Sequence, residues 1–255
     1  MNKTMEMFQK IFFVLLLIIC SNVYSGNCFI EPYDVHDCQV IAEQGNVHAQ
    51  MMLGVFYDQG LGVQQDYKEA IKWYKKAAEQ DNSEAQFNLG DMYAKGQGSP
   101  QNYKEAYKWY KSSSILGHAP AQYNLGVLYG SGLGVQQDYK KAVNLYKKSA
   151  KQGYGLAQNN LGWMYSKGLG IQQDYKKAIR WLRKSAAQNI DLAQSNLADM
   201  YYSGQGVPQD YVMAHMYWNI ASVNGNKKMS KNRDIIAKRM TPSQIAEAQK
   251  LAREW

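Results

Sequence analysis

Cysteine is scarce in this 255-residue chain, with Cys20, Cys28 and Cys38 as its three examples, all near the N-terminus. Beyond position 38 there is none, so neither a disulfide framework nor a thiolate metal site organises the bulk of the sequence. Histidine is sparse too: His36, His48, His118 and His215 fall at different registers and make no metal-ligand spacing. There is no Gly-rich phosphate loop followed by Lys-Ser/Thr, no His-Glu-x-x-His and no Gly-x-Ser-x-Gly. These absences remove the common routes to nucleotide hydrolysis, zinc-dependent hydrolysis and acyl transfer. We therefore expect no catalytic residue, no metal site and no cofactor.

Long apolar runs are missing as well. Ile11–Cys20 is shorter than the about 20 residues that a membrane span needs. It follows Lys3 and Lys10 and precedes the small residues Ser21 to Ser25, which is the layout of a secretory signal peptide over residues 1–25. Leu17-Ile18-Ile19-Cys20 has the outline of a lipoprotein box, but Ile19 is too bulky for the position before a lipidated cysteine. The expected product is exported, periplasmic or secreted, with no integral span after cleavage. Loss of Lys3, Lys10 and Glu6 lowers its net charge from +8 to +7. Cys28 and Cys38 stay behind as an even pair, and an oxidising compartment favours a disulfide between them.

What the sequence has in abundance is itself. Gly132-Leu133-Gly134-Val135-Gln136-Gln137-Asp138-Tyr139 returns in recognisable form at Gly60, Gly96, Gly168 and Gly204, always 36 residues apart. A fixed period of this size signals stacked repeats, each burying its apolar face on its neighbours. The units are 47–82, 83–118, 119–154, 155–190 and 191–226. In the third, Ala121, Leu125, Leu128 and Tyr129 form the stripe of a first helix. Gly54, Gly90, Gly126 and Gly162 recur inside that helix, where glycine is costly, so they are expected to permit close helix–helix approach. Ala198 takes the place in the fifth unit. Gly132 suits a helix C-cap, Gly134 a second bend, Val135 a plug at the junction between units and Asp138 the N-cap of a second helix. Asp66 with Glu69, and Asn102 with Glu105, have capping-box spacing. The second helix carries Tyr139, Ala142, Tyr146 and Ala150 on one face, and its aromatic pairs, such as Trp73-Tyr74 and Trp109-Tyr110, are expected to pack beside the small residues and not to stack nucleic-acid bases.

The flanks are atypical, as solenoid ends must be. Residues 26–46 carry a short helical pattern over Val35–Gln44 that would cover the first repeat. Residues 227–255 read as a capping hairpin: a helix over Met229–Met240, then Thr241-Pro242-Ser243-Gln244 as a helix start and Ile245 to Trp255 as its continuation.

The repeating Ala-Gln-x-x-Leu-Gly-x-x-Tyr followed by Gly-x-Gly-Val-x-Gln-Asp-Tyr-x-x-Ala-x-x-Trp-Tyr, seen for example in Ala85-Gln86, Leu89-Gly90, Tyr93, Gly96, Gly98 and Trp109-Tyr110, resembles the Sel1-like repeats, longer relatives of tetratricopeptide repeats. The stretch Met240 to Ala252 is similar to the ending of many bacterial members. The resemblance implies an all-α, right-handed α/α superhelical solenoid. It further implies a scaffold or adaptor in protein–protein contacts, often at the bacterial envelope. A cysteine-rich branch of the family is associated with β-lactam binding or hydrolysis, but it carries a Cys pair in each repeat and this chain carries none. A periplasmic module associated with the cell wall is the other alternative.

Two features could serve binding. Asn88, Asn124, Asn160 and Asn196 recur before the leucine of the first helix, although asparagine is a mediocre helix former. The row either pairs with the backbone of an extended peptide or links neighbouring units. Around it the residues vary: Met51, Phe87, Tyr123, Asn159 and Ser195 share one register, and Val55, Asp91, Val127, Trp163 and Asp199 another. The expected groove residues are Phe87, Asn88, Asp91, Tyr123, Asn124, Val127, Asn160, Trp163, Asn196 and Asp199, with a protein or peptide as partner. The lysines of the second helices, including Lys72, Lys76, Lys140, Lys147, Lys176 and Lys184, read as a solvated face, with weak attraction to an anionic envelope surface as the sharper reading. Nucleic acid is not an expected partner.

Overall fold

The computed structural model describes residues 35–223 and 227–255. The signal-peptide expectation and Cys28 lie outside them. Among the described residues the chain is all-helical. The helices are α1 Val35–Glu43, α2 Val47–Gln59, α3 Tyr67–Ala78, α4 Ser83–Lys95, α5 Tyr103–Ile115, α6 Ala119–Ser131, α7 Tyr139–Lys151, α8 Gly155–Lys167, α9 Tyr175–Ala186, α10 Asp191–Ser203, α11 Tyr211–Ala221, α12 Lys227–Ala237 and α13 Pro242–Glu254. The chain divides after Leu116 into two compact units. Within each, first and second helices pair and successive pairs stack, as expected of 36-residue α/α repeats.

Each pair is closed by the glycine-rich stretch. Gly132 caps α6 at φ 70°, and its N–H bonds to Leu128 O. Asp138 then caps α7, its carboxylate accepting from Lys141 N at 2.9 Å. The Asp138 N–H donates back to Tyr129 O at 2.8 Å, so one residue ends the turn and starts the helix. The clamp holding this turn is Gln137, whose Nε2 donates to Gly130 O at 2.7 Å and to Tyr139 Oη at 3.1 Å. Gln65, Gln101 and Gln173 make the same two bonds in their repeats. Val63, Ile171 and Val207, at the register of Val135, pack against the core clusters. Asp66 and Asn102 cap as expected, but Glu69 and Glu105 turn to Lys72 and Lys108. The reciprocal capping box forms at Thr241 and Gln244.

The interior glycines lie under aromatic rings. A Cβ on Gly90 would sit 2.7 Å from Tyr110 Cδ1, and one on Gly126 2.7 Å from Tyr146 Cε1. The ring twenty residues downstream rests on bare backbone. That is the close approach expected of this register, and Leu182 fills the same role on Gly162.

A second set of contacts ties one repeat to the next. Gln50, Gln86, Gln122, Gln158 and Gln194 are buried in the first helices. Nε2 of Gln86 reaches back to Ala78 O at 3.0 Å, and Gln158 to Ala150 O at 3.2 Å. From the end of the second helix, Gln152 donates to Gln122 Oε1 and to Gly117 O, and Gln188 to Gln158 Oε1 and to Gly153 O, all at 2.9 Å. Gln80 does the same toward Gln50 at 2.8 Å. In the second repeat this position is Leu116, and Gln86 Oε1 is buried without a partner.

The termini cover the stack. Cys38 and Ala42 of α1 bury against Ala49, Leu53, Phe56 and Trp73. Cys38 is disulfide-bonded, and the other two cysteines lie outside the described residues. α12 ends at Ala237, three residues before the expected Met240, because Arg239 and Met240 bond back into a turn at Ile236 and Ala237. Ala248 of α13 is fully buried, with Leu251 and Ala252 against the core. Trp255 meets Tyr217 edge-on at 5.4 Å.

Two outcomes follow for stability. Gly90→Ala gains about 1 kcal/mol of helix propensity but overpacks Tyr110, and overpacking costs about 1–3 kcal/mol. Its urea-unfolding midpoint is expected to fall. Leu116→Gln supplies the missing donor to Gln86 Oε1 and is expected to raise stability by about 1 kcal/mol, read from the same curves.

Candidate functional site

The expected groove residues sit on the first helices, and their chemistry depends on the aromatic end of the second helix beneath them. A tyrosine ring laid on glycine sends its hydroxyl out along the first helix, where a buried polar atom needs a partner. In the second repeat the partner is Asp91, which accepts from Tyr110 Oη at 2.5 Å and from Lys95 Nζ at 2.8 Å. In the first repeat Tyr74 Oη lies 3.5 Å from Asp58 Oδ2 and within reach of Asn88. Burial lifts the Tyr74 hydroxyl well above its usual pKa, with the Asp58 charge adding to it, and burial also raises the Asp58 carboxyl. Phe87 packs at 6.0 Å from the Tyr110 ring. In residues 35–116, then, Phe87, Asn88 and Asp91 all serve packing or internal hydrogen bonds.

The third repeat breaks the pattern. Val127 stands at the register of Asp91, and Gly130 at the register of Asp58. Tyr146 keeps its ring on Gly126, yet no carboxylate stands at either of those registers. Its hydroxyl instead meets Asn160 of the next repeat, which also reaches Tyr123. Burial pushes the Tyr146 hydroxyl up to about 12 against the opposing effect of Asn160. Tyr123 is wedged between Tyr146 at 5.8 Å and Tyr154 at 5.4 Å. With no side chain at Gly130, a cavity of about 270 Å³ opens beside Ser131, Tyr139, Tyr146, Asn160, Trp163 and Met164. Trp163 borders it with 40% of its surface exposed. The recess combines an exposed indole, two phenol rings, a thioether and one amide, which suits an apolar or aromatic side chain whose backbone finds the Asn160 amide.

The other expected residues are placed differently. Asn196 Nδ2 donates to Asn159 Oδ1 at 2.9 Å, and Asn159 Nδ2 to Asn160 Oδ1 at 3.1 Å, so the amides of the fourth and fifth repeats link those repeats. Asp199 accepts from Trp218 Nε1 at 3.2 Å, and desolvation raises its carboxyl. Val127 packs on the core and Asn124 is half-buried. The structure thus gathers Tyr123, Asn160 and Trp163 in one place and leaves Asn196 and Asp199 in local bonds. Tyr139, Tyr146, Gly130, Ser131 and Met164 were not expected at a site. The one signal for them is the simultaneous loss of both acidic registers above a retained tyrosine.

The second-helix lysines are mostly exposed. Lys72, Lys141 and Lys177 pair locally with Glu69, Asp138 and Asp174, while Lys76 lies 4.0 Å from the centroid of the Trp73 ring. Such pairs contribute little to stability. Among the described residues no helix is long and apolar enough to cross a membrane.

The Sel1 repeat family matches five consecutive segments, 47–82, 83–118, 119–154, 155–190 and 191–226. Among solved structures the chain is similar to a protective antigen of uropathogenic Escherichia coli strains that displays an SLR fold, with 39% identity and a TM-score of 0.82 over 86% of this chain. That match covers 47% of the E. coli protein, so the chain spans about half the length of this relative. It is also similar to a Sel1 repeat protein from Oxalobacter formigenes, with 32% identity and a TM-score of 0.74 over 87% of this chain and 86% of the other. No curated protein matches the sequence. Sel1 repeats commonly mediate protein–protein contacts and are typically non-catalytic. With its repeats matched in unbroken succession, the chain belongs to the Sel1 repeat family.

Proposed function

We propose that the chain is an exported scaffold, without catalysis of its own, that binds an extended segment of a protein partner along the first helices of residues 117–255. The observation that carries this reading is the recess at Gly130, with Trp163 exposed at its border and Asn160 inside it. An apolar or aromatic side chain of the partner enters the recess, and the Asn160 amide bonds the partner's backbone. Burial of a large exposed indole provides the affinity, since aromatic anchors dominate such interfaces. Residues 1–25 support export by their basic start, short apolar run and small-residue end. Discrimination among partners rests on the registers that vary while the frame repeats, Tyr123 and Trp163 above all.

Peptides selected on the immobilised protein are expected to lose at least tenfold in affinity, about 1.4 kcal/mol, on Trp163→Ala, with an unchanged helical circular dichroism signal. Gly130→Leu is expected to block binding by filling the recess. A Cβ there meets nothing closer than Tyr146 Oη at 3.6 Å, so the fold accommodates it. Affinities unchanged in both variants would remove the groove from consideration.

A further inference from the structure

The C-terminal cap holds a second recess, on helices other than those of the Gly130 cavity. α11, α12 and α13 border an open recess of about 450 Å³ whose lining includes His215, Asn219, Arg233, Asp234, Gln249 and Arg253. Arg233 is fixed as a strut. Its Nη1 donates to Asn219 Oδ1 at 3.0 Å, and its Nε and Nη2 donate to Asp234 Oδ1 at 2.9 and 2.8 Å. A guanidinium has five N–H groups, so two of Arg233's remain. With its oxygen committed to Arg233, Asn219 has its NH₂ left to offer. Arg253 forms no ion pair among the described residues.

His215 completes the lining from below. It is 3% exposed, and its Nδ1 is sealed from solvent with no hydrogen-bond partner. A sealed, unpartnered Nδ1 favours the tautomer with the ring proton on Nε2. Burial and the neighbouring Arg233 charge keep this imidazole below its usual pKa, with Asp234 acting the other way. The recess therefore collects donors from Asn219, Arg233 and Arg253 beside the His215 ring. It holds one carboxylate, Asp234, which Arg233 already engages. Two arginines against one aspartate leave a net positive charge. The volume far exceeds the about 30 Å³ share of a single water.

We propose that this recess binds a small oxyanion, a carboxylate or phosphate group, seated between Arg253 and the free N–H groups of Arg233 and Asn219. The guanidinium fork matches the paired oxygens of either group. The carboxylate would come from the C-terminus of a peptide, the phosphate from solution.

The full chain is titrated with acetate and with inorganic phosphate at constant ionic strength, and with one peptide in free-acid and amidated forms. The His215 ring proton is followed by NMR. A saturable shift with either anion is expected. Stronger binding of the free-acid peptide than of its amide identifies a peptide carboxylate as the source, and a response confined to phosphate identifies the free ion. Arg253→Gln is expected to weaken binding at least tenfold. Lys250→Gln removes the same charge from the same helix at an exposed position paired with Glu254 and is expected to leave binding unchanged. No saturable shift with any of these ligands, or equal losses in the two variants, overturns the proposal. The Gly130 recess does not enter the readout, so this test and the groove test fail separately.

Discussion

A tyrosine ring lying on bare helix backbone is the contact from which the first three repeats are built. Gly90 and Gly126 leave no room for a methyl group beneath Tyr110 and Tyr146. The ring sets the distance between the two helices of a pair, and a fixed distance sets the length of the turn that joins them. That turn is closed by backbone, cap and glutamine clamp together, with Asp138 N bonded to Tyr129 O and Gln137 bonded to Gly130 O. With helix spacing and turn both held, an inserted residue would displace the ring from its glycine, which accounts physically for a period that never varies. The cost of glycine in a helix, about 1 kcal/mol each, is offset by burying a whole ring in the vacated space.

The same contact creates the electrostatic problem that each of these three repeats answers in its own way. A ring pinned by its face has a hydroxyl at a determined place, and a buried hydroxyl needs a partner. Asp91 answers for Tyr110, Asp58 and Asn88 for Tyr74, and Asn160 for Tyr146. The first two answers use a carboxylate on the first helix of the same repeat, and Tyr74 also draws on Asn88 of the next. The third borrows from the next repeat and frees the local positions to be small, as Gly130 and Val127 are. A recess is the geometric result. The recess arises from how a structural demand is met.

How legible this was varies with the range of the cause. Caps and turns were readable because their chemistry lies within a few residues: Asp138, Gly132 and the Thr241–Gln244 box all act locally. The interior glycines were readable because repetition marks them. The buried glutamine row was not, although Gln50, Gln86, Gln122, Gln158 and Gln194 repeat as faithfully. Glutamine ordinarily reads as surface, and its partners lie 8 and 30 residues away. The asparagine row had two readings, linking or ligand-binding; Asn196 links neighbouring repeats, and Asn160 bonds tyrosines at the edge of a cavity. The Gly130 recess was hidden for another reason. It depends on what Val127 and Gly130 lack, combined with Asn160 and Trp163 in the next repeat.

These ranges explain why some positions of each repeat stay fixed while others vary. Residues that act on near neighbours or at the repeat period are constrained by the stack, since changing one strains its own repeat and the neighbour it contacts. Residues whose neighbours have already satisfied the tyrosine hydroxyl are released. Trp163 shows the consequence. It occupies the register of Asp91 above a helix whose aromatic position is Leu182, which has no hydroxyl to satisfy. No polar partner is required there, so a large indole can stand at the surface of the stack next to the one repeat whose own first helix has been emptied. A polar demand removed in the fourth repeat and a side chain removed in the third meet at a single place, and that coincidence opens the recess at Gly130.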